Sequence, residues 1–399
     1  GLFDLGHRME RLNRMSTSIR LFVAENIAQL PWPDTEDGAY ARAYLTPLIA
    51  YGPQHFIENV TTTYMALLVD EQIVLPLSLN RREYENSYVC SPFTHYVTYA
   101  IEELALVQPA WLRRLFAAIL TLLGLLGKAC RMNQVLCANN WLLSTNLYPS
   151  LTAQQLADIL DFLQKRFPHH AIIFRSLNAV TTADILADLA CLGCTPLGSR
   201  QVWLVQPADP HALNAKARWL LKRDLALISR HGYTLVTNDT LSAEDTTRIV
   251  ELYNMLYLEK HSHSNPMFNE RFIRLALHER TLQLIALKKD GRIDAVLGYF
   301  FRNGVMTTPL FGYDTALPQE LGLYRMLSAI LFQVARERGL LLHESSGAAQ
   351  FKRNRGAYGT IEYSAVYHRH LPRSRRLYWS LLAFLLNTIG IPYMQRHRL

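Results

Sequence analysis

Residues 343–357 read His-Glu-Ser-Ser-Gly-Ala-Ala-Gln-Phe-Lys-Arg-Asn-Arg-Gly-Ala. His343 and Glu344 end an apolar strand-like run, where burial could tune either into a proton acceptor near neutral pH. Lys352, Arg353 and Arg355 set three cations beside a glycine turn, where they could meet a phosphate or an oxyanion. A solvated basic helix face is the plainer reading of the arginines, whereas Phe351 should anchor the helix and fix the direction of Lys352. Asp314 ends a second strand-like run and is another candidate base. Downstream of it, Gln319-Glu320-Leu321-Gly322-Leu323-Tyr324-Arg325 opens an apolar helical pattern. A helix start presents unpaired N–H groups to anions, and a glycine there lets an anion approach the backbone.

Other spacings point away from metal and from several enzyme classes. His261 and His263 lie two apart without a third ligand, and Cys191 and Cys194 form a lone CxxC, so no resident metal is expected. The chain carries no GxSxG, P-loop, HExxH or complete dinucleotide fingerprint, which argues against hydrolase, NTPase, zinc protease and dehydrogenase chemistry. Its 41 basic and 33 acidic residues give a net charge of +8, which suits polyanionic partners. Five cysteines and no secretory apolar segment near the start of the sequence fit a reducing cytoplasm. The opening residues through Arg8, ahead of Met9 and Met15, read as a cloning remnant.

At 399 residues two domains are the natural expectation. Mixed α/β patterning fills both halves. Residues 63–79 alternate around Asp70-Glu71-Gln72 as a hairpin; helical patterns follow at 110–130, 153–167 and 182–192, with strand-like runs at 134–144, 170–176 and 200–205. Gln206-Pro207-Ala208-Asp209-Pro210 breaks the periodicity, and a helix over 214–231 bridges the halves. This divides the chain into 16–210, a bridge at 211–231, a second domain at 232–372 and a terminal helix at 373–399. From Tyr233 the pattern predicts β-α-α-β-β-β-α-β-α-β, with a hairpin at Lys289-Asp290-Gly291-Arg292.

That order, with Gln319 to Tyr324 in place of a Q/R-x-x-G-x-G/A motif, resembles the GNAT acyltransferases. Tyr324 departs from the small final residue of the motif. The segment from His343 to Ala357 resembles the glycine turn and "FK…G" stretch of Fem-type aminoacyltransferases, which are tandem GNAT proteins. The resemblance implies two GNAT-like domains in tandem, mixed central sheets flanked by helices. It implies an acyl thioester donor, CoA or the phosphopantetheine of an acyl carrier protein, as substrate and not as a tightly bound cofactor. The donor's pyrophosphate would rest on the amides of Leu321, Gly322 and Leu323, with Gln319, Tyr324, Arg325 and Lys352 around it.

The acceptor is then a primary amine of a small molecule or peptide. Glu344, Asp314 and His343 are the candidate bases, expected to converge on one cleft; Tyr324 or Tyr358 could return a proton to the thiolate, and Lys352 could stabilise charge. Tyr257, His261, His263 and Asn265 lie in the loop that forms one wall of a GNAT acceptor site. Asn139-Asn140-Trp141 could line the same cleft but has no assigned role. Alternatives are Fem-like transfer from aminoacyl-tRNA, the one reading that brings in nucleic acid, and a non-catalytic GNAT-fold binding protein. Two apolar stretches bear on membranes: 115–127 is expected as a buried helix, and 377–394, flanked by Arg373, Arg375, Arg376, Arg396 and Arg398, as a helix that buries Leu377, Leu381, Phe384 and Leu385, with weak membrane contact as the alternative.

Overall fold

A computed structural model describes residues 17–397. The opening residues through Arg8, with Met9 and Met15, and Arg398 at the other end, lie outside the described residues. Three tight turns fix the sheet register. Asp70 with Glu71, Asp290 with Gly291, and Asn303 with Gly304 all take positive φ, the type I′ geometry whose twist matches antiparallel strands. They join β2 (Thr63–Val69) to β3 (Ile73–Leu79), β8 (Gln283–Lys289) to β9 (Arg292–Arg302), and β9 to β10 (Val305–Tyr313).

The other strands are β1 (Ile19–Phe22), β4 (Val135–Ala138), β5 (Ala171–Asn178), β6 (Thr195–Val205), β7 (Thr234–Thr237), β11 (Leu341–His343) and β12 (Tyr358–Tyr367). One twelve-stranded sheet contains them all, in the order β1-β2-β3-β4-β5-β12-β6-β11-β10-β9-β8-β7. Read from either edge, three antiparallel pairings lead to a parallel one, β4 with β5 or β10 with β11, and then to an antiparallel strand from the other half of the chain. β12 pairs with β5, β6 pairs with β11, and β6 and β12 pair with each other at the centre. The two halves therefore repeat one strand plan in mirror order, and each completes its sheet with the last strand of the other.

Helices cover both faces: α1 (Glu36–Tyr51), α2 (Tyr99–Glu103), α3 (Ala110–Ala129), α4 (Ala153–Arg166), α5 (Ala183–Cys191), α6 (Ala215–Arg230), α7 (Asp245–Tyr253), α8 (Glu270–His278), α9 (Leu323–Glu337), α10 (Ala349–Arg353), α11 (Arg373–Leu385) and α12 (Ile391–His397). Side chains start several of them: Thr152 and Gln155 form a capping box at α4, and Asn214 and Asn269 accept first-turn amides at α6 and α8. One core cluster, including Tyr44, Trp141, Ile249 and Phe272, draws on both halves.

Three expectations are corrected. The strand expected over 134–144 stops at Ala138 because Asn139 and Leu142 take positive φ, and the Asn140 side chain donates to Val89 O and Ser78 Oγ. α3, expected to be buried, hides only Leu123, Gly124 and Gly127; a helix apolar on every side does not reveal which face packs. α11 buries Tyr378, Trp379, Leu382 and Ala383, while Leu377, Leu381 and Phe384 face outward. Trp379 joins the core cluster that includes Leu197 of β6 and Val366 of β12, while Tyr378 turns to α3.

Candidate functional site

β10 and β11 run parallel for only three residues, from Val305 opposite Leu341 to Thr307 opposite His343. β10 bulges between Thr307 and Leu310 and stays with β9. The chain leaving β11 turns to β6, where the Glu344 amide donates to Trp203 O. The two strands part at this point, and α9 and α10 close over the gap. Phe351 of α10 stands edge-on to Tyr324 of α9, whose ring also meets Phe311 and Tyr313 of β10.

Glu344 and Lys352 lie at this parting. Burial pushes the Glu344 carboxyl up to about 7, with the charges of Lys352 and Arg355 pulling the other way, and its Oε2 has no hydrogen-bond partner among the described residues. Lys352 is buried; burial lowers its ammonium to about 8 against the pull of Glu344. Its Nζ donates to the carbonyls of Glu344 at 2.6 Å and Ser346 at 2.9 Å, so the glycine turn is wrapped around it. A third N–H remains. Tyr324 is held protonated, first by burial and then by the nearby Glu344 charge.

The other candidate bases lie elsewhere. His343 accepts the Ser345 amide on Nδ1 at 3.1 Å, and burial pulls its pKa down to about 4. It lines a cavity of about 10 Å³ with Thr145, Tyr148, Ser176, Thr182 and Arg302, room for a single water and closed to a substrate. Asp314 does not converge with these residues. It lies one residue past the end of β10, beyond the bulge. There Arg248 and Arg292 hold its carboxylate at 2.8 and 2.5 Å. Burial would raise its pKa, but the bond from Arg248, a backbone amide and both arginine charges keep it below the usual range.

At the start of α9, a 3-10 turn (Gln319–Leu321) uses two of the amides expected for a pyrophosphate: Leu321 N donates to Pro318 O, and Gly322 N to Gln319 O. Leu323, Tyr324 and Arg325 supply the first-turn N–H groups that a helix cannot pair internally. Gly322 has φ +77°, and a Cβ there would come within 2.8 Å of Leu227 Cδ1, so α6 lies over the helix start. Asp224 of α6 has no exposed surface and holds Arg325 at 2.7 Å and Arg355 at 2.6 Å. Gln319 and Arg353 are exposed.

The expected wall loop is helical over its first part: α7 runs on as a π-helix, Asn254–His261, which places Tyr257 stacked on Tyr253 at 4.9 Å with the exposed His261 ring against its edge. Asn265 is buried and spends its amide on Tyr257 O and Ser262 O; His263 is exposed and its carbonyl accepts from Asn59. Asn139, Asn140 and Trp141 are core groups: Trp141 O accepts from Tyr44, and Asn140 O from Tyr64. Tyr358 is exposed.

Sequence reasoning missed the polar centre of the molecule. Arg200 of β6 bonds Glu362 of β12 at 2.8 Å, Ser345 Oγ at 3.2 Å, and Ser144 O and Thr145 Oγ1. Ser199 meets His95 Nε2 at 2.7 Å. Tyr88 and Tyr99 meet nearby as tilted rings with centroids 5.7 Å apart. A cation at position 200 and an acid at position 362, each inside a strand pattern, were the available signal.

The family described as acetyltransferase (GNAT) domain matches residues 215–353, the stretch that contains α6, the strand parting and α10. A search among curated proteins returns no match. Solved structures with similar folds include L-PGS from Bacillus licheniformis, at 17% identity over 58% of this chain and 78% of that one, TM-score 0.43. FemX aligns at 12% identity over 58% and 80%, TM-score 0.43. A tandem GNAT protein from the clavulanic acid biosynthesis pathway aligns at 10% over 88% and 98%, TM-score 0.37. Residues 215–353 thus match a GNAT acetyltransferase domain, and the sheet of the N-terminal half repeats the strand plan of the half that contains that match.

Proposed function

We propose that the chain is an acyltransferase that moves an acyl group from an activated thioester, on CoA or an acyl carrier protein, to a primary amine at the parting of β10 and β11. The observation that carries this reading is the placement of Glu344, Lys352 and Tyr324 around that gap within the matched domain. A neutral amine attacks the thioester carbonyl while its proton passes to the Glu344 carboxylate. The oxyanion faces the remaining N–H of Lys352. The C–S bond then breaks and the departing thiolate takes the proton back from Glu344, so the carboxylate is regenerated and an amide and a thiol are formed. Tyr257, with His261 at its edge, stands on the acceptor side.

A second reading, transfer from an aminoacyl ester on tRNA, draws support from Asp224. It already neutralises Arg325 and Arg355, so the start of α9 offers a pyrophosphate less positive charge than two free arginines would. Thermal-shift titration with acyl-CoA, acyl-carrier and aminoacyl-tRNA donors separates the readings, because only a donor with a formed site stabilises the folded chain. Amide formation followed by mass spectrometry with the stabilising donor then tests the reaction. Absence of stabilisation by any of the three would overturn both.

A further inference from the structure

α3 and α11 form an antiparallel seam. Near one end Tyr378 Oη donates to Leu123 O and packs so tightly against Gly127 that a Cβ there would come within 2.5 Å of it. At the other end Phe116 meets Tyr393 of α12 edge-on at 5.9 Å. Outward from this seam α3 shows Trp111, Leu115, Ile119, Leu122 and Leu125, spaced as one helical stripe. Leu122 and Leu125 are 58% and 64% exposed, and on α11 Leu377 and Phe384 are 70% and 62% exposed. A patch of this kind on a folded protein marks an interaction surface.

Charge selects the partner. Between residues 104 and 157 the sequence has no Asp or Glu, and there is none after Glu362. The same stretches carry Arg113, Arg114, Lys128 and Arg131, then Arg369, Arg373, Arg376 and Arg396. Apolar stripes flanked in sequence by cations and by no carboxylate fit an apolar layer under negative headgroups. α3 and the segment 373–396 are long and apolar enough to cross a bilayer, yet both are tied down. Asn387 accepts from Gly198 N and donates to Pro196 O, each at 2.8 Å, and Trp379 is fully buried. Crossing would break these contacts, whereas lying flat would break none.

We infer that the α3 and α11 faces together dock this protein on an anionic lipid surface, as a peripheral contact parallel to the bilayer. α2, which carries Tyr99 beside the polar centre, runs into α3 within ten residues, so docking brings that centre close to the headgroup layer.

Sedimentation of the full chain with vesicles tests this. It is expected to pellet with phosphatidylcholine mixed with phosphatidylglycerol, to pellet less with phosphatidylcholine alone, and to be released by salt. The exposed-site variant Leu122→Ser/Leu125→Ser/Phe384→Ser should lose at least tenfold in partitioning with its circular dichroism unchanged. Arg114→Gln/Lys128→Gln should lose about fivefold per charge removed, on the anionic vesicles only. Full-length protein that stays in the supernatant with both vesicle types overturns the inference. So does a dimer in solution that the triple variant dissociates while vesicle binding is absent, because a second copy would then cover the face.

Discussion

Glu344 and Lys352 titrate from opposite directions toward the same narrow window. Glu344 must be ionised to take the amine proton, so the rate rises with pH through about 7; Lys352 must be protonated to face an oxyanion, so it falls above about 8. A bell-shaped profile with its maximum between these values is expected. Glu344→Gln should lower kcat by about 10² to 10⁴ and remove the acid limb, and a retained limb would assign the titration to another group. Lys352→Met should cost about 10² in kcat. The same change leaves two carbonyls of the glycine turn without their donor, a further loss of about 1–3 kcal/mol each. Lys352→Arg restores charge but not this compact geometry, so comparing melting temperature with turnover separates the lysine's two roles. Phe351 beside Lys352 was legible from adjacent letters. The burial that brings Glu344 and Lys352 toward neutrality was not, because it comes from α9 and β10 packing around them.

Among the elements, α6 decides how the start of α9 is used. A carboxylate sits where an anion would be expected, held by two arginines. Asp224→Ser should cost about 3–5 kcal/mol, since Arg325 and Arg355 would then be left without their buried partner. Millimolar sulfate or phosphate should recover part of that loss in the variant and leave the parent's melting temperature unchanged. A variant that melts like the parent would show that the arginines find water as easily as Asp224. The helix start itself was readable from Gly322, a local signal. The apolar stripe of Ala217, Leu220, Leu221 and Leu227 puts position 224 on the buried face, but nothing local names its partners, Arg325 and Arg355, which lie 101 and 131 residues away. The hairpins at Asp70 and Asp290 were legible for the same local reason, whereas the outward stripes of α3 and α11 were not, since helices this apolar offer several equivalent faces.

For the whole molecule, the pairing of β12 with β5 and of β6 with β11 ties the two halves into one cooperative unit. Residues 211–399 expressed alone should be insoluble, because β12 would leave β5 and β6 and present open sheet edges. Co-expression with residues 1–210 should return a soluble complex, and the intact chain should unfold in a single transition by circular dichroism and by fluorescence. Separate, independently soluble halves would refute this. The order of strands within each half was legible, but the exchange was not. It rests on pairings between residues about 140 to 195 positions apart, and an alternating run carries no label for its neighbour.

The segment of broken periodicity between β6 and α6 acquires a particular role from that exchange. Two free molecules that traded terminal strands would hold together only above some concentration, and would assemble at a rate set by their collisions. Here residues 206–214 hold the trading partners on one chain, so the trade proceeds as an intramolecular event at fixed effective concentration. Dilution should leave the intact protein's refolding rate unchanged, whereas a chain cleaved within 206–214 should refold with second-order kinetics and slow in proportion as it is diluted.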